Sequence, residues 1–135
     1  MNKDIAKKWV KALRSGKYKQ GYGYLKQLNS KNQPRHCCLG VLCELYNDTM
    51  KKNHKKTLYI EDMEDSDGTY FIRFNLLDGG LPIVVQKWAG IKNIIGEFAV
   101  APYGRYDVEC LADLNDGGKK FSTIADIIEK NVENL

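Results

Sequence analysis

The residues best suited to bind an anion lie close together, between residues 14 and 35. Cationic side chains, tyrosines, glutamines and glycines are interspersed in this part of the chain. Cationic groups neutralise phosphate, tyrosine faces stack on nucleobases, and glycines let backbone N–H groups approach a ligand. The pattern predicts an anionic-nucleotide site formed by Arg14, Lys17, Tyr18, Lys19, Gln20, Tyr22, Tyr24 and Arg35. The alternative role of the tyrosines is packing across neighbouring strands.

The cysteines give a weaker indication of chemistry. A thiol of Cys37 or Cys38 near a helix start would have a lowered pKa, but the adjacent His36 points away from its chain neighbours and no orienting group is evident. The spacing of the cysteines also lacks the paired C-x-x-C knuckles of a zinc site. We therefore predict no catalytic residue, no metal site and no cofactor. The thiols of Cys37, Cys38, Cys43 and Cys110 are then expected to be buried as small hydrophobic groups in a reducing compartment.

Three further patterns favour structural roles over chemistry. The carboxylates of residues 61–65 are expected to be solvated at the tip of a hairpin. Gly21 and Gly23 lack the following helix start and third glycine of a dinucleotide-binding loop. Asn115 and Asp116 lack the alternating oxygen ligands of a calcium loop and are expected to act in capping and turns.

Charge is divided unevenly along the chain. Residues 1–57 contain 14 basic and 3 acidic side chains, whereas residues 58–135 contain 7 basic and 14 acidic ones. Halves of opposite sign can attract each other, and an unpaired basic surface can concentrate anionic ligands. Broad coating of DNA is disfavoured because the second half is acidic.

These residues must be positioned by one α+β domain that covers residues 1–135, since a chain of this length supports a single core. An N-terminal helix is predicted over residues 3–15 and ends at Gly16, with Asn2 as its cap. A short antiparallel ribbon is expected from Tyr22–Leu28 and Arg35–Cys38. A buried helix follows over residues 39–46, where Gly40 indicates close approach of another backbone, and residues 47–56 are predicted to be an exposed loop.

The remaining elements follow from turn and capping residues. We predict a hairpin of Thr57–Asp62 and Thr69–Asn75, a short helix over Ile83–Ala89 that ends at Gly90, and a strand over Glu97–Ala101. A C-terminal helical pair is expected, beginning with residues 108–114 and continuing in a helix capped by Ser122. The chain contains no apolar run long enough to cross a membrane and no apolar leader, which predicts a cytoplasmic protein.

Three stretches of the chain form a specific combination of motifs. They are W-x-x-A-L-x-S-G-x-Y-x-Q-G (residues 9–21), C-C-L-G-V-L-C (37–43) and L-A-x-L-N-D-x-G-x-x-F-x-x-I-A-D-x-I-E (111–129). Together they resemble a family of small phage and prophage proteins. The resemblance covers both ends of the chain and leaves residues 47–105 unmatched. It implies an accessory viral product made in a bacterial cytoplasm, and such products often inhibit host proteins or disarm immune signalling.

Composition and resemblance together predict a binding protein that is not an enzyme. Our first hypothesis is sequestration of an anionic nucleotide immune messenger, either a cyclic oligonucleotide or a cyclised ADP-ribose, without turnover. The second is inhibition of a bacterial host protein through the acidic half or an exposed hairpin. The third is nucleic-acid binding through the basic N-terminal helix. A homo-oligomer with its site between subunits is compatible with the first hypothesis.

Overall fold

In the computed structural model, which describes residues 1–100 and 108–135, the chain begins with helix α1 (Lys3–Arg14). The Asn2 side chain caps it by accepting hydrogen bonds from two backbone amides of the first turn. Ile5, Trp9 and Leu13 form its buried stripe. Gly16 follows with a φ of +74°, a conformation that favours glycine. The predicted helix, its cap and its end are confirmed.

A four-stranded antiparallel sheet has the order β2-β1-β4-β3. Its strands are β1 (Lys26–Leu28), β2 (Pro34–His36), β3 (Ile60–Glu64) and β4 (Tyr70–Phe74). The predicted ribbon and the predicted hairpin are therefore both present, and they join through pairing of β1 with β4. One face of this sheet contributes Ile72 and Phe74 to the core.

The first strand of the predicted hairpin begins three residues later than expected, whereas the second strand lies within the predicted Thr69–Asn75. The first strand is Ile60–Glu64 instead of Thr57–Asp62, because Glu64 pairs with Tyr70. Asp65 closes the turn: its amide donates to the Thr69 carbonyl over 3.0 Å, and its side chain accepts from two turn amides. The carboxylates of residues 61–64 therefore lie along a strand and not at the hairpin tip.

Helix α2 (Cys38–Lys52) continues six residues beyond the predicted buried helix, so the prediction of an exposed loop from residue 47 is wrong over 47–52. Asn47 is buried, and its side chain accepts the Leu58 amide over 2.8 Å. The first turn of α2 packs directly on the backbone of Leu25 at Gly40. The predicted close approach at this glycine is confirmed.

The C-terminal part contains the predicted helices with one correction. Its elements are α3 (Ile83–Ala89), β5 (Glu97–Val100), β6 (Val108–Cys110), α4 (Leu111–Asp116) and α5 (Phe121–Lys130). Residues 108–110 were predicted to be helical, but they pair with β5 as a strand. Helix α5 begins before Ser122, so the prediction of Ser122 as its cap is wrong. Ala101, the last residue of the strand predicted over Glu97–Ala101, lies outside the described residues.

A single core joins these elements into one small α+β domain. Its largest fully buried side chains come from all five helices, the sheet and the connecting segments, and include Trp9, Leu39, Leu42, Phe74 and Ile124. The Trp9 indole N–H donates to the Cys38 carbonyl over 2.9 Å, which fixes α1 against the start of α2. Within the described residues, no helix combines the length and apolarity needed to cross a bilayer.

Candidate functional site

A buried polar cluster holds together the three stretches that carry the sequence motifs. Asn115 is fully buried and lies at its centre. Its Oδ1 accepts from the Cys38 amide over 3.1 Å and from Gln20 Nε2 over 3.0 Å, and its Nδ2 donates to the Gly21 carbonyl over 2.9 Å. Gln20 Oε1 in turn accepts from the Phe121 amide over 3.2 Å, so that it caps α5 from a distance. These motif residues therefore assemble the fold.

Two other members of the predicted nucleotide site are also engaged within the protein. The Arg14 guanidinium pairs with Glu129 at 2.9 Å and with Asp126, both on α5. The Tyr24 ring stacks on Phe71 with centroids 4.3 Å apart, and its hydroxyl donates to Asp65 over 2.6 Å. Arg14 and Tyr24 therefore contact different parts of the molecule.

The other five predicted residues are divided between three places. Tyr22 and Lys19 are exposed, and Arg35 is half-buried in β2, where it pairs with Gln27. Lys17 and Tyr18 lie together at the end of a groove between α1 and α2. The structure thus brings two of the eight predicted residues into one concave site.

We call this concave site the basic groove. Its walls are two helical stripes with the same spacing, and its volume is about 380 Å³. The wall from α1 consists of Lys8, Lys11, Ala12 and Ser15, and the wall from α2 consists of Leu45, Asp48, Thr49 and Lys52. Residues spaced i, i+3, i+4 and i+7 lie on one face of a helix, which is why each stripe is continuous.

The two flanks of α1 have different electrostatic surroundings. On the flank that faces α5, Lys3 pairs with Glu133 and Arg14 pairs with Asp126 and Glu129. On the other flank, the basic groove contains four lysines and one carboxylate, Asp48. No ion pair involves these four lysines within the described part of the chain. The acidic second half therefore neutralises one side of α1 and leaves the groove positive.

Tyr18 is held in place at the end of the groove by a second set of contacts. Its ring meets the buried His36 imidazole edge-on, with centroids 5.2 Å apart and planes at 87°. His36 Nε2 and Lys26 Nζ both lie close to Glu44 Oε1, at 3.1 and 3.0 Å. Burial raises the pKa of the Tyr18 hydroxyl, which keeps it protonated as a hydrogen-bond donor.

The Glu44 cluster predicts a specific pH dependence of stability. Burial alone would raise the pKa of Glu44, but the His36 hydrogen bond and the Lys26 charge outweigh it and lower the pKa to about 2. A lowered pKa stabilises the fold above the ordinary value of 4.5 and ceases to do so as the pH falls toward 2. The free energy of unfolding of the wild-type protein falls as the pH is lowered from 5 to 2. We expect this fall to be about 2 kcal/mol smaller in Glu44→Gln, because the variant has no carboxylate to protonate at this position.

Urea denaturation at a series of pH values between 5 and 2 measures this effect. Glu64→Gln, a change at an exposed strand carboxylate, is the matched control and should retain the wild-type slope. Equal slopes for wild-type protein and Glu44→Gln would contradict the role of Glu44.

The cysteines lack the properties of nucleophiles. All four are buried, and all four are free thiols that form no disulfide bond. Burial raises the pKa of Cys37 to about 11 and that of Cys38 and Cys43 well above the usual range. Cys37 instead caps α2, because its Sγ accepts the Gly40 amide. These thiols therefore stay protonated near neutral pH, which disfavours thiolate chemistry.

Sequence reasoning did not identify Lys8, Lys11, Thr49 and Lys52 as residues of one site. The signal that could have found them is the matched polar stripe on each helix, which the predicted loop at residues 47–56 interrupted. Thr49 donates its hydroxyl to the Leu45 carbonyl over 2.9 Å, so its oxygen lone pairs remain as acceptors. The groove thus offers ammonium donors, a hydroxyl acceptor and an aromatic ring.

Comparison with protein-family models matches nearly the whole chain. The family model described as Domain of unknown function (DUF8296) matches residues 1–132. No curated protein and no solved structure matches the chain. The matched span includes both walls of the basic groove and the cluster around Asn115.

Proposed function

We propose that this chain, which belongs to the family of the domain of unknown function DUF8296, binds a small phosphorylated nucleotide in the basic groove without turning it over. The observation that carries the proposal is the charge asymmetry of α1. The α5 carboxylates pair with one flank, while four lysines converge on the other flank around a single carboxylate. Concave sites lined by one sign of charge concentrate ligands of opposite sign.

The chemistry of the groove fits the two parts of a nucleotide. Lysine ammonium groups donate to phosphate oxygens, and an aromatic ring offers a face to a base. Tyr18 supplies the ring beside Lys17, whose Nζ lies 5.2 Å from the ring centroid. A volume of about 380 Å³ is at the small end of ligand pockets, which favours a compact ligand or one unit of a larger one.

The biological role that we propose is sequestration of an immune messenger in a bacterial host. The resemblance to small phage proteins supports this role, and cyclic oligonucleotides or cyclised ADP-ribose species carry the required phosphates and base. Protonated, buried thiols support binding without turnover. The ligand would then be recovered intact.

A thermal-shift panel of cyclic dinucleotides, cyclic trinucleotides, cyclised ADP-ribose species and linear nucleotides tests the proposal. A ligand present at about 100 times its Kd should add about 2.7 kcal/mol of stability, or several degrees in Tm. Recovery of an altered ligand after denaturation would show an enzyme. A flat panel would overturn the proposal, and a preference for duplex DNA with steep salt dependence would favour the nucleic-acid hypothesis.

A pair of lysine variants locates the site. Lys11→Gln should weaken nucleotide binding about tenfold, because it removes a charge-assisted hydrogen bond. The matched control is Lys7→Gln, which makes the same change on the same helix outside the basic groove. Isothermal titration calorimetry should show near wild-type Kd for the control. Equal weakening in both variants would indicate attraction to overall charge and not to the groove.

A further inference from the structure

The four-stranded sheet has one covered edge and one open edge. At the β2 edge, residues 19–21 cover the strand: the His36 amide donates to the Lys19 carbonyl over 2.9 Å, and the Gly21 amide donates to the His36 carbonyl over 2.7 Å. At the opposite edge, β3 pairs only with β4 within residues 1–100 and 108–135. Unpaired edges are templates for pairing with another chain.

The hydrogen bonds at both ends of β3 show which backbone groups face outward. The Tyr59 carbonyl accepts the Asn75 amide over 2.8 Å, and the Asp65 amide donates to the Thr69 carbonyl over 3.0 Å. Backbone groups in an antiparallel pair alternate in direction along the strand. The residues that turn their backbone N–H and C=O groups to the open edge are therefore Ile60, Asp62 and Glu64.

Exposed apolar residues occur at the beginning of this edge and in the turn that follows β4. Tyr59 and Ile60 are 57% and 46% exposed, and Leu76, which follows the Asn75 partner of Tyr59, is 64% exposed. Leu76 has a φ of +68° because it lies with Asn75 at the centre of a tight turn, in which the Phe74 and Leu77 amides each donate to the other's carbonyl. This turn holds the leucine side chain in an exposed position, where it adds apolar surface after β4.

We propose that the β3 edge binds an extended, basic segment of another protein, which adds as a fifth strand to the sheet. The side chains of Ile60, Asp62 and Glu64 are all exposed and lie on one face, since they alternate along the strand. In antiparallel pairing, the incoming strand places a basic residue opposite Glu64, a second opposite Asp62 and an apolar residue opposite Ile60. Charge complementarity identifies this occupant.

A second copy of this chain fits the edge poorly. Antiparallel pairing of two β3 strands about their centre places Asp62 opposite Asp62, and parallel pairing in register also aligns Glu64 with Glu64. Like charges directly opposite each other destabilise a sheet. The open edge therefore favours a partner whose strand is basic.

A synthetic peptide tests the proposal directly. The probe is fluorescein-labelled Thr-Lys-Thr-Lys-Thr-Val-Thr, and fluorescence anisotropy with the full chain measures its Kd. The control peptide has the same composition with its two lysines adjacent, which removes the alternation. We expect at least about tenfold weaker binding of the control peptide, since its basic groups no longer share one face. Equal binding of both peptides, or no binding of either, would overturn the proposal.

Substitutions at Asp62 separate the backbone from the charge. Asp62→Pro removes an outward N–H while leaving the hydrogen bonds to β4, because proline is tolerated on edge strands. It should abolish peptide binding, whereas Asp62→Asn should weaken it only several-fold. Circular dichroism and Tm confirm that each variant is folded. Wild-type affinity in folded Asp62→Pro would contradict the proposed added strand.

Leu76 provides a variant in which folding and binding change in opposite directions. Leu76→Asn places a residue that tolerates the left-handed conformation at an exposed site, so Tm should stay equal or rise. Peptide binding should weaken several-fold if Leu76 anchors the ligand. Ile83→Asn, a change at a 59% exposed residue on α3, is the control and should leave peptide affinity unchanged. Unchanged peptide affinity in Leu76→Asn would show that Leu76 is not part of the peptide-binding surface. Formation of a wild-type dimer through β3 would overturn the choice of partner.

Discussion

Gly40→Ala is expected to prevent stable folding. A Cβ at this position would overlap the Leu25 carbonyl oxygen and would lie 2.7 Å from the carbonyl carbon. Both contacts are far shorter than any real Cβ approach, and both involve backbone atoms that have no rotamer to change. The first turn of α2 would therefore have to separate from the segment that enters β1.

That separation is costly because the Leu25 backbone is fixed on several sides. Its carbonyl accepts the Cys37 amide over 3.2 Å, and its side chain is fully buried. Overpacking in a core typically costs about 1–3 kcal/mol, and a backbone clash of this depth should exceed that range. A domain with a total stability of about 5–15 kcal/mol loses much or all of it.

Urea denaturation followed by circular dichroism measures the effect. Gly79→Ala is the matched control: a Cβ there has no neighbour within 4 Å and its φ lies outside the left-handed range. The control should keep its stability or gain slightly, because alanine restricts the unfolded chain. A wild-type urea midpoint for Gly40→Ala would show that the α2 start does not pack on Leu25 in solution.

Asn115→Leu is expected to lower the free energy of unfolding by roughly 3–5 kcal/mol, since each buried polar group left without a hydrogen-bond partner costs about 1–3 kcal/mol. The substitution keeps a similar side-chain size but removes four side-chain hydrogen bonds. The Cys38 amide and the Gly21 carbonyl then lose their partner at a buried position, whereas the Gln20 amide keeps its bond to the Lys119 carbonyl.

Thermal and urea denaturation of two further variants define the cause. Asn131→Leu removes two outlying bonds, one to the Ile127 carbonyl near the end of α5 and one from the exposed Asn134 side chain, and should lower the free energy of unfolding by about 1 kcal/mol or less. Asn115→Asp keeps both acceptor functions but buries a charge, so its stability should improve as the pH is lowered and the carboxyl becomes protonated. Equal losses in Asn115→Leu and Asn131→Leu would contradict the central position of Asn115.

The elements that sequence reasoning placed correctly depend on local signals. The stripe of Ile5, Trp9 and Leu13 and the glycine after it define α1 without any tertiary information. The elements that it misplaced depend on distant contacts. Residues 48–52 lack apolar periodicity, and their helix is supported by Asn47, which reaches the strand entry at Leu58.

The candidate site was predictable only in part for the same reason. Lys17 and Tyr18 were identified because their types suggest nucleotide chemistry within a few residues of each other. Which lysines join them depends on how α1 packs beside α2, and Arg14 is removed from the set by carboxylates more than 100 positions away in the chain. Local composition carries the residue types of a site but not the ion pairs that engage them.

The four buried cysteines also allow local unfolding of the protein to be measured by the labelling of its native thiols. A thiol reagent reaches Cys43 only when α2 leaves the core, because this side chain is fully inaccessible. The Cys38 thiol donates to the Leu111 carbonyl of α4, so it becomes accessible when α2 and α4 separate. Cys110, at the junction of β6 and α4, requires the opening of a different region. Labelling rates resolved by peptide mass would thus give separate opening free energies for two parts of the domain, with no engineered probe.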